Sequence, residues 1–149
     1  MKRTILLVAA LVVALATLGA AQTQTFQYPQ WADPCQNPAV LKLSVPVHIT
    51  TATTTELVAA SAGKTVYVCA YSLVAVGTGA TTFKTGTKVS TACDTGATSI
   101  TGSPLFPTTT LVTTAGTHVQ FAGASGGELC VTTASGATSL DGFVDYVQQ

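Results

Sequence analysis

The chain has 149 residues, a formal net charge of zero and only 8% charged side chains, against 47% hydrophobic residues. Its charges form no run of one sign, so it lacks the basic stripe that nucleic-acid binding requires. Once the N-terminal segment is set apart, the remaining length suits one domain with a real core and excludes a second.

The N-terminus has the pattern of a signal peptide. Lys2 and Arg3 form a basic n-region, the apolar run "TILLVAALVVALATLGA" follows, and small residues offer a cleavage site after Ala21. We therefore predict a signal peptide over 1–21 and a secreted or extracytoplasmic protein without membrane attachment after cleavage. A retained N-terminal anchor is the alternative. Beyond this segment, four lysines stand against six acidic residues, so the mature chain is mildly acidic.

The next segments change from an irregular leader to alternating strands. Residues 22–40 hold three of the six prolines and no hydrophobic period, which predicts an extended leader before a β domain over 41–149. In "KLSVPVHIT" apolar and polar residues alternate, and Pro46 predicts an edge strand. The short run "TTELVAA" predicts a second strand. "TVYVCAYSLVAV" is apolar on both faces and predicts a central strand.

Further strands are predicted on both sides of residues 86–118, a stretch dominated by Thr, Gly, Ser and Pro with only brief apolar pieces. "GTG" at 77–79 predicts a turn into "ATTFKTG" as the hairpin partner of the central strand. Three late strands are predicted in "THVQFAG", "ELCVTTA" and "LDGFVDYVQ". No window has a helical period, and threonine, which suits pleated surfaces, makes up roughly a fifth of the chain. These features predict an all-β fold, a single antiparallel β-sandwich or jelly-roll-like domain.

Four cysteines, Cys35, Cys69, Cys93 and Cys130, lie far apart in the sequence. An even number on an exported chain predicts two disulfides. The wide spacing is unlike the clustered ligands of a metal site, so no metal is predicted. Three pairings are compatible with the sequence, and we favour Cys69 with Cys93 and Cys35 with Cys130.

The stretch "GASGG" around Ser125 is similar to the nucleophile motif of chymotrypsin-like proteases. His48, Asp94 and Ser125 also follow the chain order of that family's triad. However, Ala124 stands where that family has aspartate, His48 lies in the middle of a strand, and one barrel is too little chain for that fold. The α/β-hydrolase elbow needs a helix after the serine, whereas a strand follows here. We therefore predict a hairpin turn.

A second motif, Asp94-Thr95-Gly96-Ala97, resembles the D-T-G-A loop of retropepsin-like aspartic proteases. In those enzymes two carboxylates share one proton. The stretch before Asp94 is mostly polar, and no glycine-rich flap follows, so a capped turn is the favoured interpretation. We predict no catalytic residue, no cofactor and no enzymatic activity.

Aromatic residues suggest a possible binding surface at Trp31, Tyr67 and Tyr71. Tyr67 and Tyr71 are predicted to share one face of the central strand with Cys69 between them. Packing in the core is favoured over a platform for stacking sugars.

Polar residues offer two further patches. Asp141 and Asp145 are predicted to share one face of the last strand with Phe143 between them, where a solvated surface is favoured over a calcium or ligand patch. His48 and His118 are predicted to point outward, and neither has a carboxylate at metal-ligand spacing.

Several stretches together resemble a family of small β-sandwich proteins of bacteriophage and prophage genomes. They are "TATTTELVAASAGKTVYVCAYSLVAVGTG", "TGATSITG", "GELCVTT" and "GFVDYVQ". The resemblance includes the run from Glu56 to Ala60, the Gly63-Lys64 turn, the Thr101-Gly102 loop and the closing strand from Gly142 to Tyr146. It implies a structural virion role, such as decoration or fibre, without enzymatic activity.

The added signal peptide and cysteines favour an exported relative of that family, whose surface binds something at the cell exterior. We therefore expect an exported, non-catalytic structural or surface-binding protein of phage or prophage type. Its partner would be a cell surface or a virion, and a homo-oligomer, such as a trimer, is expected. The alternatives are a secreted carbohydrate-binding module and, less favoured, a retropepsin-like or serine hydrolase.

Overall fold

A computed structural model describes residues 33–101, 110–114 and 116–149, which all belong to one compact unit over 31–149. The predicted signal peptide and residues 22–32 of the leader, including Trp31, lie outside the described residues. The described part contains nine strands and no helix. The strands are β1 (Leu43–Ile49), β2 (Thr54–Val58), β3 (Val66–Gly77), β4 (Thr81–Thr87), β5 (Thr95–Ser99), β6 (Thr110–Thr114), β7 (Phe121–Ala122), β8 (Glu128–Thr133) and β9 (Ala137–Gln148).

The strands form two antiparallel sheets that pack face to face. Sheet A has the order β1–β9–β3–β6, with β7 also paired to β3, and sheet B has the order β2–β8–β4–β5. The pairs are nested along the chain: β1 with β9, β2 with β8, β3 with β6 and β7, and β4 with β5. This is the strand order of a jelly roll, in which one long hairpin wraps into two sheets. The predicted all-β sandwich is confirmed.

The sequence patterns of β1 and β3 explain their places in sheet A. β1 lies at the edge of the sheet, in agreement with the prediction from Pro46, because proline lacks the N–H that a central strand must donate. β3 has β9 along one side and β6 and β7 along the other. β3 is therefore paired with other strands along both of its edges, and its predicted central position is confirmed.

The predicted hairpin between β3 and β4 is wrong. β4 corresponds to "ATTFKTG", but it lies in sheet B between β5 and β8. Both edges of β3 are already occupied by other strands, so the intervening residues cross from one sheet to the other. Gly77 turns the chain there with a φ of 112°, and the Thr78 N–H donates to the Gly136 carbonyl at 2.8 Å.

The core lies between the sheets and is centred on three aromatic rings. Phe83 of sheet B is fully buried, and its ring centroid lies 6.0 Å from that of Tyr71 and 5.0 Å from that of Phe121. Burying a side chain of this size stabilises the fold by about 1.5–3 kcal/mol. The other buried side chains of this core are Val47, Ile49, Val58, Val66, Val68, Leu73, Ala75, Leu129, Val131, Leu140 and Val144.

A β-bulge interrupts β3 at Cys69. Val68 pairs with Tyr146 of β9, but Ala70 pairs with Asp145, the very next residue, so Cys69 is the extra residue. The bulge reverses the facing of the strand, because an inserted residue shifts the two-residue period by one position. Val68 faces the core before the bulge, and Tyr71 faces it afterwards.

Gly142 allows β9 to lie close to β3. Its φ is 145°, a conformation that side chains with a Cβ rarely adopt, and a Cβ there would collide with the Ser72 carbonyl group. This close contact fixes the position of Phe143, which pairs with Ser72 across the two strands.

Candidate functional site

The structure has two disulfides, as predicted, but the favoured pairing of the cysteines is wrong. The bridges join Cys35 to Cys69 and Cys93 to Cys130, with Cα atoms 5.4 and 6.4 Å apart. Cys69 lies in sheet A and Cys130 in sheet B. Each bridge therefore fastens a loop segment to the sheet that it covers, whereas the favoured pairing would have joined segments on different layers of the sandwich.

The described part of the predicted leader, 33–40, is held on sheet A. Cys35 is fully buried in a small second cluster with Cys69 and Val147. The Asp33 carboxylate accepts hydrogen bonds from the backbone N–H groups of Cys35 and Val119 at 2.8 and 3.1 Å, and it contacts His118 at 3.2 Å. Desolvation raises the pKa of Asp33, but these hydrogen bonds outweigh it and hold the pKa below its usual range.

The predicted shared face of Tyr67 and Tyr71 is wrong because of the bulge at Cys69. Tyr67 packs with the cysteine cluster beneath the leader, whereas Tyr71 packs in the main core between Phe83 and Phe121. Only 7% of Tyr71 is exposed. These two tyrosines therefore do not form a joint platform, and their packing role, the favoured interpretation, agrees with where they lie.

The β4–β5 loop covers the outer face of sheet B. Glu128 and Cys130 lie on that face, since Leu129 between them faces the core, yet both are buried. The Cys93 N–H donates to Glu128 Oε2 at 2.9 Å, and Lys88 Nζ donates to Glu56 Oε2 at 3.0 Å. The loop is thus attached by a disulfide, a buried hydrogen bond and a surface ion pair.

The same region holds a group of potential metal ligands. The sulfur atoms of Cys93 and Cys130 and the carboxylate of Glu128 lie within 4.8 Å of one another. Both sulfur atoms are bonded in the disulfide and cannot act as thiolates. While the bridge is intact, the group therefore offers a metal ion only the carboxylate.

Asp94, the aspartate of the D-T-G-A motif, caps a turn in this loop. Its carboxylate accepts hydrogen bonds of 2.7–2.9 Å from the backbone N–H groups of Thr91, Ser90 and Val89, and from the Ser90 hydroxyl. These bonds, that from Thr91 first, hold the pKa of Asp94 well below its usual range. An aspartic dyad requires a carboxyl group that retains a proton, which is the opposite tendency. The predicted capped turn is present.

Ser125 lies in a tight turn, as predicted, but the turn does not close a hairpin. The Gly127 N–H donates to the Ala124 carbonyl at 3.0 Å, and Gly126 has the φ of 72° that the third residue of a type II turn requires. The turn leads from β7 in sheet A to β8 in sheet B.

Strand pairing gives His48 a carboxylate partner 93 residues away. His48 of β1 lies opposite Asp141 of β9, and Nδ1 lies 2.5 Å from Asp141 Oδ1. Hydrogen bonds from His48 and then Ser139 hold the pKa of Asp141 below its usual range. Sequence reasoning missed both histidine–aspartate pairs, because neither separation produces a local motif.

The outer face of sheet A contains a groove, which we call the sheet A groove. Its volume is about 320 Å³, and it lies where β3, β6 and β9 meet. Phe143, with 43% of its surface exposed, lines it together with Asp145. The other lining residues are Ala70, Tyr71, Ser72, Thr113 and Thr114. The sequence indicated the shared face of Phe143 and Asp145, but it had no signal for the residues on β3 and β6.

Fold and surface together define a disulfide-bonded jelly-roll β-sandwich with a groove on sheet A. Comparisons with protein-family models, curated proteins and solved structures find no match to this chain. Among the residues described, no helix is long and apolar enough to cross a membrane.

Proposed function

We propose that the protein is an exported, non-catalytic structural or surface-binding domain that attaches to its partner through the outer face of sheet A. The partner is a cell surface or a virion. The proposal joins the signal-peptide pattern and the phage-family resemblance of the sequence to the surface of the jelly roll.

The observation that carries this proposal is a group of three neighbouring exposed apolar side chains on the outer face of sheet A, Val74, Leu111 and Phe143. Val74 of β3 lies directly opposite Leu111 of β6, and they are 39% and 61% exposed. Phe143 of β9 lies diagonally beside Val74 on the same face, since it pairs with Ser72. Soluble monomers rarely expose large contiguous apolar surfaces, and such surfaces mark interaction sites.

The two disulfides support export and a durable extracellular role. Both disulfides are of the kind that persists in oxidising compartments, and each fixes a covering segment to a sheet. Jelly rolls also occur in viral capsid and lectin domains, which is an analogy of fold and not of site.

The surroundings of the residues in catalytic motifs support a non-catalytic role. Asp94 is an anion fixed by turn hydrogen bonds, and His48 pairs with Asp141, not with Asp94. A serine nucleophile needs a base within hydrogen-bond reach. His48 makes its hydrogen bond to a residue of β9 and not to the turn that contains Ser125. Cleavage of a peptide library that is lost in Asp94→Asn or Ser125→Ala would contradict this part of the proposal.

The direct test is co-sedimentation of the purified mature chain with cell envelopes and, separately, with phage particles of the source organism. We expect Leu111→Ser to weaken binding by about tenfold, the effect of losing one well-buried apolar contact. Val89→Ser is the matched control, because Val89 is 75% exposed on the β4–β5 loop over sheet B. Equal binding of the two variants would contradict the assignment of the surface. The particle that retains the wild-type chain distinguishes a cell-surface role from a virion role.

The predicted homo-oligomer is a further possibility for the same face. A trimer that forms through sheet A would dissociate in Leu111→Ser and persist in Val89→Ser, as measured by light scattering over a concentration series. A monomer at high concentration would remove this expectation.

The carbohydrate-binding alternative from the sequence relied on Trp31, Tyr67 and Tyr71. Tyr71 is buried in the core, so that set of residues does not support the alternative.

A further inference from the structure

We propose that Cys93, Cys130 and Glu128 bind a zinc ion when the Cys93–Cys130 bridge is reduced, so that a metal ion attaches the β4–β5 loop to sheet B in place of the disulfide. The inference concerns the reduced chain and goes beyond the proposed surface-binding function, which it does not require. It rests on the position of the three residues, on the distances between their ligand atoms and on the burial of the carboxylate.

The fold brings the three residues together from distant parts of the sequence. Cys93 lies in the β4–β5 loop, whereas Glu128 and Cys130 lie two positions apart on β8 and point to the same face, beneath that loop. All three are buried, and their ligand atoms lie within 4.8 Å of one another. In the described part of the chain, no other three cysteine, histidine or acidic side chains form such a group.

The distances agree with those of a tetrahedral zinc site. Zinc binds sulfur at about 2.3 Å and carboxylate oxygen at about 2.0–2.2 Å, so a sulfur and an oxygen of one site lie about 3.6 Å apart. Cys130 Sγ lies 3.7 Å from Glu128 Oε2. Two sulfur ligands lie about 3.8 Å apart, so the sulfur atoms must separate once the bridge is broken. The Cα atoms of Cys93 and Cys130 are 6.4 Å apart, towards the upper end of the disulfide range, which gives the side chains room to rotate apart.

Burial of Glu128 favours a cation at this place. Glu128 is only 3% exposed, and the Cys93 N–H donates to its Oε2 at 2.9 Å. A buried carboxylate is costly unless it is paired or coordinates a metal ion. Two thiolates, one carboxylate and Zn²⁺ would carry a single negative charge. The hydrogen bond to Glu56 and, to a smaller extent, the charge of Glu128 raise the pKa of Lys88, so an ammonium group is close enough to offset that charge.

The ligand types select zinc among the common metal ions. Magnesium and calcium require oxygen ligands, and two of the three ligands here are sulfur. Copper(I) shares the preference for thiolates but not for a carboxylate, whereas zinc accepts both. Three protein ligands leave the fourth tetrahedral position to a water molecule.

The exchange between bridge and metal is balanced in atoms and electrons. A dithiol reductant gives two electrons and two protons to the bridge, so that the S–S bond breaks, Cys93 and Cys130 become thiols and the dithiol becomes a disulfide. Zinc then replaces both thiol protons, which pass to the solvent. A disulfide oxidant reverses these steps and releases the zinc. The loop is thus attached in a reducing medium by zinc and in an oxidising medium by the bridge.

The test compares two double variants that each keep one pair of cysteines. Cys35→Ala/Cys69→Ala keeps all three ligands, and Cys93→Ala/Cys130→Ala keeps the same number of thiols without the site. Each is reduced with a phosphine, freed of it without oxygen and titrated with zinc sulfate in competition with a chromophoric chelator. We expect about one zinc ion per chain for the first variant and none at the same concentrations for the second.

A third variant tests the carboxylate. Adding Glu128→Gln to Cys35→Ala/Cys69→Ala should weaken zinc binding at least tenfold, because loss of even an outer hydrogen-bond partner of a metal ligand costs about 10–100-fold. Equal zinc binding by the two double variants, zinc binding by neither, or an affinity that Glu128→Gln leaves unchanged would overturn the proposal.

Limited proteolysis of the reduced wild-type chain locates the bound zinc. Zinc should suppress cleavage within 88–94 and leave cleavage within 33–40 unchanged, since Cys35 and Cys69 belong to no such group of ligands in the described part. If reduction unfolds the chain, zinc should restore the far-UV circular dichroism of Cys35→Ala/Cys69→Ala but not that of Cys93→Ala/Cys130→Ala. Zinc that restores neither the protection of the loop nor the fold would overturn the site. The Leu111→Ser sedimentation uses the oxidised chain, so the two proposals stand or fail separately.

Discussion

Removing the Cys35–Cys69 disulfide tests how the leader segment 33–40 contributes to stability. The bridge joins residues 34 positions apart, and closing a loop of that length in the unfolded chain contributes about 4 kcal/mol at 25 °C in the chain-entropy model. Without the bridge, the hydrogen bonds of Asp33 should still hold part of the leader on sheet A. We therefore expect Cys35→Ala/Cys69→Ala to lower the free energy of unfolding by about 3–4 kcal/mol.

The same numbers give the expected change in melting temperature. With an unfolding entropy of about 2.1 cal/mol/K per residue over the unit 31–149, a loss of 3–4 kcal/mol lowers the Tm by about 12–16 °C. The sheets should remain folded, because the main core lies between them and contains neither Cys35 nor Cys69. Far-UV circular dichroism at 20 °C should be unchanged, while thermal and urea unfolding should shift.

Limited proteolysis with a non-specific protease locates the change. In Cys35→Ala/Cys69→Ala the first cuts should fall within 33–40, because the segment loses its covalent attachment to β3. Cys93→Ala/Cys130→Ala is the matched variant: its loop spans 37 positions, so the stability loss should be similar, but the first cuts should fall in 88–94. Identical cleavage patterns, or an unreduced peptide that links Cys69 to Cys93, would refute this reasoning.

Three further changes test other parts of the fold. Phe83→Ala empties the centre of the aromatic core and should cost about 3–5 kcal/mol in urea unfolding, with Phe83→Leu costing clearly less; equal effects would contradict the packing argument. Gly142→Ala should cost about 2 kcal/mol or more, since a Cβ meets the Ser72 carbonyl group at a φ that favours glycine, and a Tm equal to that of the wild type would refute it. The pKa of Asp94 is depressed in the folded state. The contribution of Asp94 to the free energy of unfolding is therefore present above the unfolded pKa of about 3.9 and is lost as the pH falls through the folded pKa. The difference in urea midpoint between the wild type and Asp94→Asn should therefore be constant above about pH 5 and shrink at lower pH; a pH-independent difference would contradict the assignment.

Local sequence patterns determined the class of fold and most of the strands, whereas β5 and β6 lie in a stretch for which no strand was predicted. Alternation in "KLSVPVHIT" and Pro46 were sufficient to place β1 at an edge, and the apolar run of β3 was sufficient to make it central. These features depend on the period of a strand and on the missing N–H of proline, which are properties of a few neighbouring residues. The two disulfides also followed from the cysteine number and the predicted export.

Only the tertiary structure shows which side chains of β3 face the core. A single unpaired residue at Cys69 reverses which side of the strand faces the core, and nothing in "TVYVCAYSLVAV" marks the bulge. That one residue places Tyr67 and Tyr71 on opposite faces of the sheet, so these two tyrosines cannot form a joint aromatic surface. Cysteine pairing depended on the same information, because the sheet in which each cysteine lies decides which sulfur atoms can meet.

The sheet A groove shows most clearly where sequence reasoning ends. Phe143 and Asp145 could be placed on one face of the last strand from their spacing alone. Ser72 and Thr113 join them only because the nested pairing of the jelly roll brings β3, β6 and β9 side by side. The contacts between these strands span up to about half of the chain, and their pairing is decided by closure of both sheets around one core, which no local pattern encodes.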